Sequence, residues 1–196
     1  NNNMSKNLNK YNLTFLCSNN CSSGLNTIFY YITKIIKKNS NFIKNIKLNK
    51  LFDKILSKTC PNSNLSYNTR FINSINIITN NTEAGILKIK EKYLEFIVNI
   101  IETNEYNDDI NNDKFLGQIF DCFDENINII IVDSKMYDYN SYNKNLLEEL
   151  VKFNTHYIFL LGYMKIIPSS IINIYKNRIF NIHPSLLPKY KNMMDL

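Results

Sequence analysis

The chain has 196 residues, enough for one domain with a buried core or for one domain and part of another. Its net charge of +6 comes almost wholly from lysines scattered among asparagines, without the localised basic stripe of a nucleic-acid footprint. No apolar run reaches the roughly 18 residues of a membrane helix, so neither nucleic acid nor membrane is expected as a partner.

Asparagine fills 35 positions and tryptophan none, so composition says little about function and motif identity must carry the reading. The sequons at Asn12, Asn20, Asn64 and Asn80 are what chance produces in such a chain. Cys17, Cys21, Cys60 and Cys122 form no C-x-x-C pair and have no histidine at ligand spacing, so reduced structural thiols and no metal are expected. "NNN" precedes the first Met and no closing element follows "KNMMDL", so neither end is read as natural. With no signal peptide visible, a cytoplasmic protein is expected, an organellar address staying open.

In chain order, "NLTFLC" (12–17) reads as a buried strand, followed by the polar turn "SNNCSSG" and a helix from Leu25 to about Lys38. The stretch 38–70 is rich in Lys and Asn and reads as a variable, solvated surface insertion with one short helix near 51–56. "INIIT" (75–79) is a second strand, and Ala84 to Glu102 a helix on the spacing of Ile86, Leu87, Ile89, Leu94, Ile97 and Ile101. A polar loop through 103–113 leads to a weak short helix, "KFLGQIFDCF". Strand "INIIIV" (127–132), helix "YNKNLLEELVKF" and strand "HYIFLL" (156–161) follow. The last elements are a short helix, "SSIINIY", capped by Ser169 or Ser170, and a fifth strand, "RIFNI".

Apolar strands alternating with helices predict an α/β fold: an open, mostly parallel twisted sheet with helices on both faces. Such sheets bind ligands at the carboxyl ends of their strands, which nominates three loops: "SNNCSSG", "GYMKIIP" and "HPSLLP". Within "RIFNIHPSLLPKY", Asn181 and His183 fall on one side of an extended chain, and Pro184 ends the strand. An amide and an imidazole at a sheet rim can together stabilise an oxyanion and move a proton. On spacing alone a strand-end His183 bonded to its own loop is the favoured reading, and His156, at the start of a strand, reads as structural.

The segment "LLGYMKIIPSSIINIYKNRIFNIHPSLLPKY" resembles the formyl-transfer core of the phosphoribosylglycinamide formyltransferase family. "INIITNNTEAGILKIKE" and "SKMYDYNSYNKNLLEEL" are similar to its upstream segments, so the resemblance makes 12–196 one formyltransferase-like domain. It implies a Rossmann-like fold and transfer of a formyl group from 10-formyltetrahydrofolate, as cosubstrate and without metal, to glycinamide ribonucleotide, by a monomer or homodimer. It implies Asn181 and His183 as catalytic residues, and Ser22, Ser23, Gly24 and Pro184 as the substrate and phosphate site. Gly162, Met164, Lys165, Ile166 and Ile167 are implied to line the folate pocket, Lys165 standing where arginine is usual.

The family's glycine-rich phosphate loop is here reduced to Gly24, so close backbone approach to a phosphate is not expected of it. The resemblance also implies a catalytic aspartate beyond Leu196, so the chain as given is expected to be incomplete for activity. Methionyl-tRNA formyltransferase, formyltetrahydrofolate deformylase and a truncated, non-catalytic binding protein of the same fold are the alternatives.

Overall fold

A computed structural model of the chain describes residues 10–18, 24–39, 46–59, 72–80, 83–101 and 106–181. Among the described residues, five strands run in chain order: β1 (Tyr11–Cys17), β2 (Ile72–Thr79), β3 (Ile127–Ile131), β4 (Tyr157–Leu161) and β5 (Ile179–Asn181). They pair in parallel in the order β3-β2-β1-β4-β5. The chain builds outward from β1 to β3, returns past β1, and builds outward again on the other side. The reversal between β1 and β4 is a topological switch point, where loops on the carboxyl side diverge and leave a crevice.

Alternate strand residues serve opposite faces, and the core divides accordingly. Phe15, Cys17, Ile75, Ile77 and Leu161 point into a large cluster with α1 (Gly24–Asn39), α2 (Ile46–Thr59), α3 (Glu83–Ile101) and α5 (Asp113–Asn126). Leu16, Ile78 and Ile158 face a smaller one built by α6 (Tyr139–Lys152), Ile171 of α7 (Ser169–Ile174) and Tyr175. The expected sheet with helices on both faces is what forms.

Three local readings need correction. The described part of 38–70 is not a solvated surface. α2 runs over 14 residues, and its Leu48, Leu51, Phe52 and Ile55 are fully buried in the larger cluster; spaced i, i+3, i+4, i+7, they form one apolar stripe beneath a lysine-rich outer face. The loop expected through 103–113 contains a short helix, α4 (Asn107–Ile110), after a buried Tyr106, and the "weak" helix α5 is a full 14 residues. The Asn112 side chain starts α5 by accepting the Lys114 N–H at 2.9 Å, and Phe115, Ile119, Cys122 and Phe123 form its buried stripe.

α7, finally, is not opened by a serine. Pro168 is its N-cap, with no side-chain cap bond. The Pro168 carbonyl accepts the N–H groups of Ile171 and Ile172 at 3.0 and 3.1 Å. Proline's restricted φ sets the entry to the helix without a hydroxyl.

A polar row crosses the face of the smaller cluster on the amino side of the buried Leu16 and Ile78. The Thr14 and Thr155 hydroxyls lie 2.7 Å apart, Asn76 Nδ2 donates to Thr14 Oγ1 at 3.4 Å, and Asn128 Nδ2 donates to Asn76 Oδ1 at 2.8 Å. Beside it Asn12 is held from four directions. Its N–H donates to His156 Nδ1 and its amide to the Asn154 carbonyl, while its Oδ1 accepts from Asn73 and Ser74. Asn154 takes φ of +48° to present that carbonyl, a left-handed conformation that asparagine tolerates better than most residues. His156 is therefore structural, as its position predicts.

Candidate active site

β1, β4 and β5 are neighbours, and the three nominated loops leave their carboxyl ends. Cys17 pairs with Leu161, and Leu160 with Asn181, so Ser18, Gly162 and Asn181 follow one another across the rim of the sheet. A parallel sheet makes this possible because it brings all its strand exits to one edge.

Asn181 ends β5 and is exposed. Ile179, two residues earlier, packs on the smaller cluster, so strand alternation turns Asn181 to the same face, free of apolar cover. Its carboxamide can donate to a developing oxyanion at this rim. His183, Pro184, Ser22 and Ser23 lie outside the described residues. Gly24 is the first residue of α1, whose N-terminus opens on the same edge.

After Leu161 the chain turns on Gly162, whose φ of +58° lies in the left-handed region where a side chain would be strained. The residues beyond it expose apolar surface at the rim: Met164 is 74% and Ile166 80% exposed, whereas Ile167 is half-buried against the smaller cluster. Lys165 is exposed, its Nζ 5.1 Å from the centre of the Tyr142 ring. The segment thus offers apolar side chains, one cation and backbone groups, which suits a flat, partly polar ring system.

Two ties hold this segment, and both involve residues that motif reading passed over. Ser18, just past β1, accepts the Met164 backbone N–H at 2.9 Å and the Asn80 amide at 3.4 Å. The hydroxyls of Tyr142, on α6, and Tyr163 lie 3.1 Å apart. Burial pushes both phenols above their ordinary range, and for Tyr163 the Tyr142 hydroxyl adds to the rise, so both stay neutral donors and acceptors at physiological pH. Position gives the only sequence signal for Ser18, which stands in a nominated loop immediately after an apolar strand; a two-tyrosine contact 21 residues apart has none.

A profile of the formyl transferase family matches residues 71–194, more than half of the chain. The trifunctional purine biosynthetic protein adenosine-3 of Chironomus tentans is 39% identical over 69 residues, which are 35% of this chain and 5% of that protein. The chloroplastic phosphoribosylglycinamide formyltransferase of Vigna unguiculata is 46% identical over 46 residues, 24% of this chain and 15% of that enzyme. The matched stretches therefore span only small parts of these relatives. Among solved structures, the phosphoribosylglycinamide formyltransferase of Coxiella burnetii in complex with CHES aligns over 94% of this chain and 56% of its own, at 19% identity and a TM-score of 0.48. The match from β2 through the segment that follows β5 shows that this chain belongs to the formyl transferase family.

Proposed function

We propose that the chain is the formyl-transfer part of a phosphoribosylglycinamide formyltransferase, moving a formyl group from 10-formyltetrahydrofolate to the amine of glycinamide ribonucleotide in purine biosynthesis, in the cytoplasm. Family membership supports the reaction class. The acceptor, the donor and the residue roles are the proposal. The observation that carries it is the adjacency of β1, β4 and β5, which gathers Gly24, the Gly162–Ile167 segment and Asn181 along one rim. On this reading the formyl transferase domain spans 12–196.

In this reading the Gly162–Ile167 segment receives the pterin. The exposed Met164 and Ile166 lie against its faces and backbone groups meet its polar edge. Ser22, Ser23 and the start of α1 at Gly24 take the phosphate of the acceptor, where unpaired N–H groups favour an anion, and Pro184 lies beside that substrate.

As the amine attacks the formyl carbon, negative charge grows on the formyl oxygen. Asn181 donates a hydrogen bond to that oxygen, and His183 stabilises the charge and handles the proton. A C–N bond forms to the acceptor and the C–N10 bond breaks; the amine gives up one proton and N10 gains one. The folate is consumed in each turnover, and no metal is required by this sequence of steps.

The test is formyl transfer between 10-formyltetrahydrofolate and glycinamide ribonucleotide by the full-length protein that carries this chain, followed with Asn181→Ala and His183→Ala. Each variant is expected to lose about 10² to 10³ in kcat with its melting midpoint unchanged. Parallel loss of stability and activity, or no transfer to this acceptor by the unaltered protein, would overturn the reading.

A further inference from the structure

The segment proposed to receive the folate has little packing of its own. It turns out of β4 on a left-handed glycine, and Met164 and Ile166 put most of their surface into solvent. It settles on the smaller cluster through the side chains of Tyr163 and Ile167, while the backbone between them carries no apolar anchor. A loop held by few buried apolar contacts has a low opening free energy, so its resting height above the sheet depends on individual polar ties.

Ser18 makes such a tie from the other side of the switch point. Its Oγ accepts the Met164 N–H at 2.9 Å and the Asn80 amide at 3.4 Å, so one hydroxyl joins the carboxyl ends of β1, β2 and β4. The Tyr142–Tyr163 contact holds the neighbouring residue from α6, but it fixes a side chain. Ser18, by contrast, is bonded to the backbone of a residue proposed to line the pocket.

We propose that Ser18 is a positioning residue: by accepting the Met164 N–H it sets the conformation of Gly162–Ile167 and thereby the affinity for the folate, a role that rests on the function proposed above. Ser18 itself touches neither reacting group. A backbone bonded in place before the ligand arrives loses less conformational freedom on binding.

Amide hydrogen exchange and calorimetry on Ser18→Ala and Ser18→Thr test this. Exchange at Met164 is expected to quicken about tenfold in Ser18→Ala, the scale of one lost hydrogen bond, while Phe159 inside β4 is unchanged. The Kd for 10-formyltetrahydrofolate rises by a similar factor and the Kd for glycinamide ribonucleotide by less than about twofold. Ser18→Thr, which keeps the oxygen, restores both values, a rescue that a loss of general stability would not give.

Unchanged exchange at Met164 in Ser18→Ala refutes the proposal, as does faster exchange with undiminished folate affinity. Should Ser18→Ala not fold, Ser18→Cys, close in size but a poor acceptor, carries the same expectations. If the unaltered protein binds no 10-formyltetrahydrofolate, the proposed function fails, and exchange at Met164 still decides whether Ser18 holds the segment.

Discussion

The two edges of the sheet are built differently. At the amino edge the strands are laced together by side chains: Asn12 is bonded to Asn73, Ser74, Asn154 and His156, and Thr155, Thr14, Asn76 and Asn128 form a continuous row. Asn12, Thr14, Asn76 and Thr155 among them are buried, and a buried polar group is costly if left unpaired. At the carboxyl edge Ser18 ties the Met164 backbone to β1, Gly162 takes a left-handed turn, and Met164 and Ile166 stand in solvent. One edge holds the strands in register, and the other leaves groups open for a ligand. The division follows from parallel topology, which sends the ligand-binding loops to a single edge and frees the opposite edge for stability.

If that division is right, damage to the amino edge should reach stability without reaching ligand. Asn12→Ala removes three side-chain bonds at once and takes the acceptor from the half-buried Ser74 hydroxyl. It is expected to cost about 2–3 kcal/mol of unfolding free energy, measured by denaturant titration. The affinity of the remaining folded protein for 10-formyltetrahydrofolate should stay within about twofold of the unaltered value. A large affinity loss here would mean that the edges are not separable.

A smaller effect is expected behind the carboxyl edge, where α6 supports Tyr142. Asp138 caps this helix by accepting the Ser141 N–H at 2.8 Å, and that bond holds its carboxyl below the usual carboxylate range. Because the folded pKa is depressed, the contribution is present above the unfolded value of about 4 and disappears as pH falls through the folded one. Asp138→Asn keeps a capping oxygen but has no titrating group. The melting midpoint of the variant should therefore fall less steeply than that of the unaltered protein between about pH 5 and pH 3. Identical slopes would show that the cap adds nothing to acid sensitivity.

The strands were the most legible part of the sequence, because buried parallel strands read as unbroken apolar runs and four of the five stand between clear turns. α1 and α3 were equally plain. α2 was read only as a short helix near 51–56 in a solvated stretch even though Leu48, Leu51, Phe52 and Ile55 carry a regular helical stripe; five lysines and two asparagines between 44 and 58 gave the text a solvated look. In α5 the stripe includes Cys122, and Gly117 lies in its interior, which weakens the periodic signal.

At the candidate site, Asn181 and the 162–167 segment could be nominated from motif and spacing, since a strand exit followed by glycine or proline leaves a local mark. Ser18 could not, because its significance comes from a residue 146 positions away in the chain. The polar lacing of the amino edge was hidden for a related reason. Thr14, Asn76 and Asn128 interrupt apolar runs one at a time, and only the register of the strands brings them into a row.

The most direct test of the division between edges is to titrate the protein with 10-formyltetrahydrofolate and follow its backbone amide resonances. The account predicts shifts concentrated at Ser18, Gly162–Ile167 and Asn181, with Asn12, Thr155 and His156 unmoved. Shifts centred on the amino edge, or saturable binding that leaves 162–167 untouched, would contradict it.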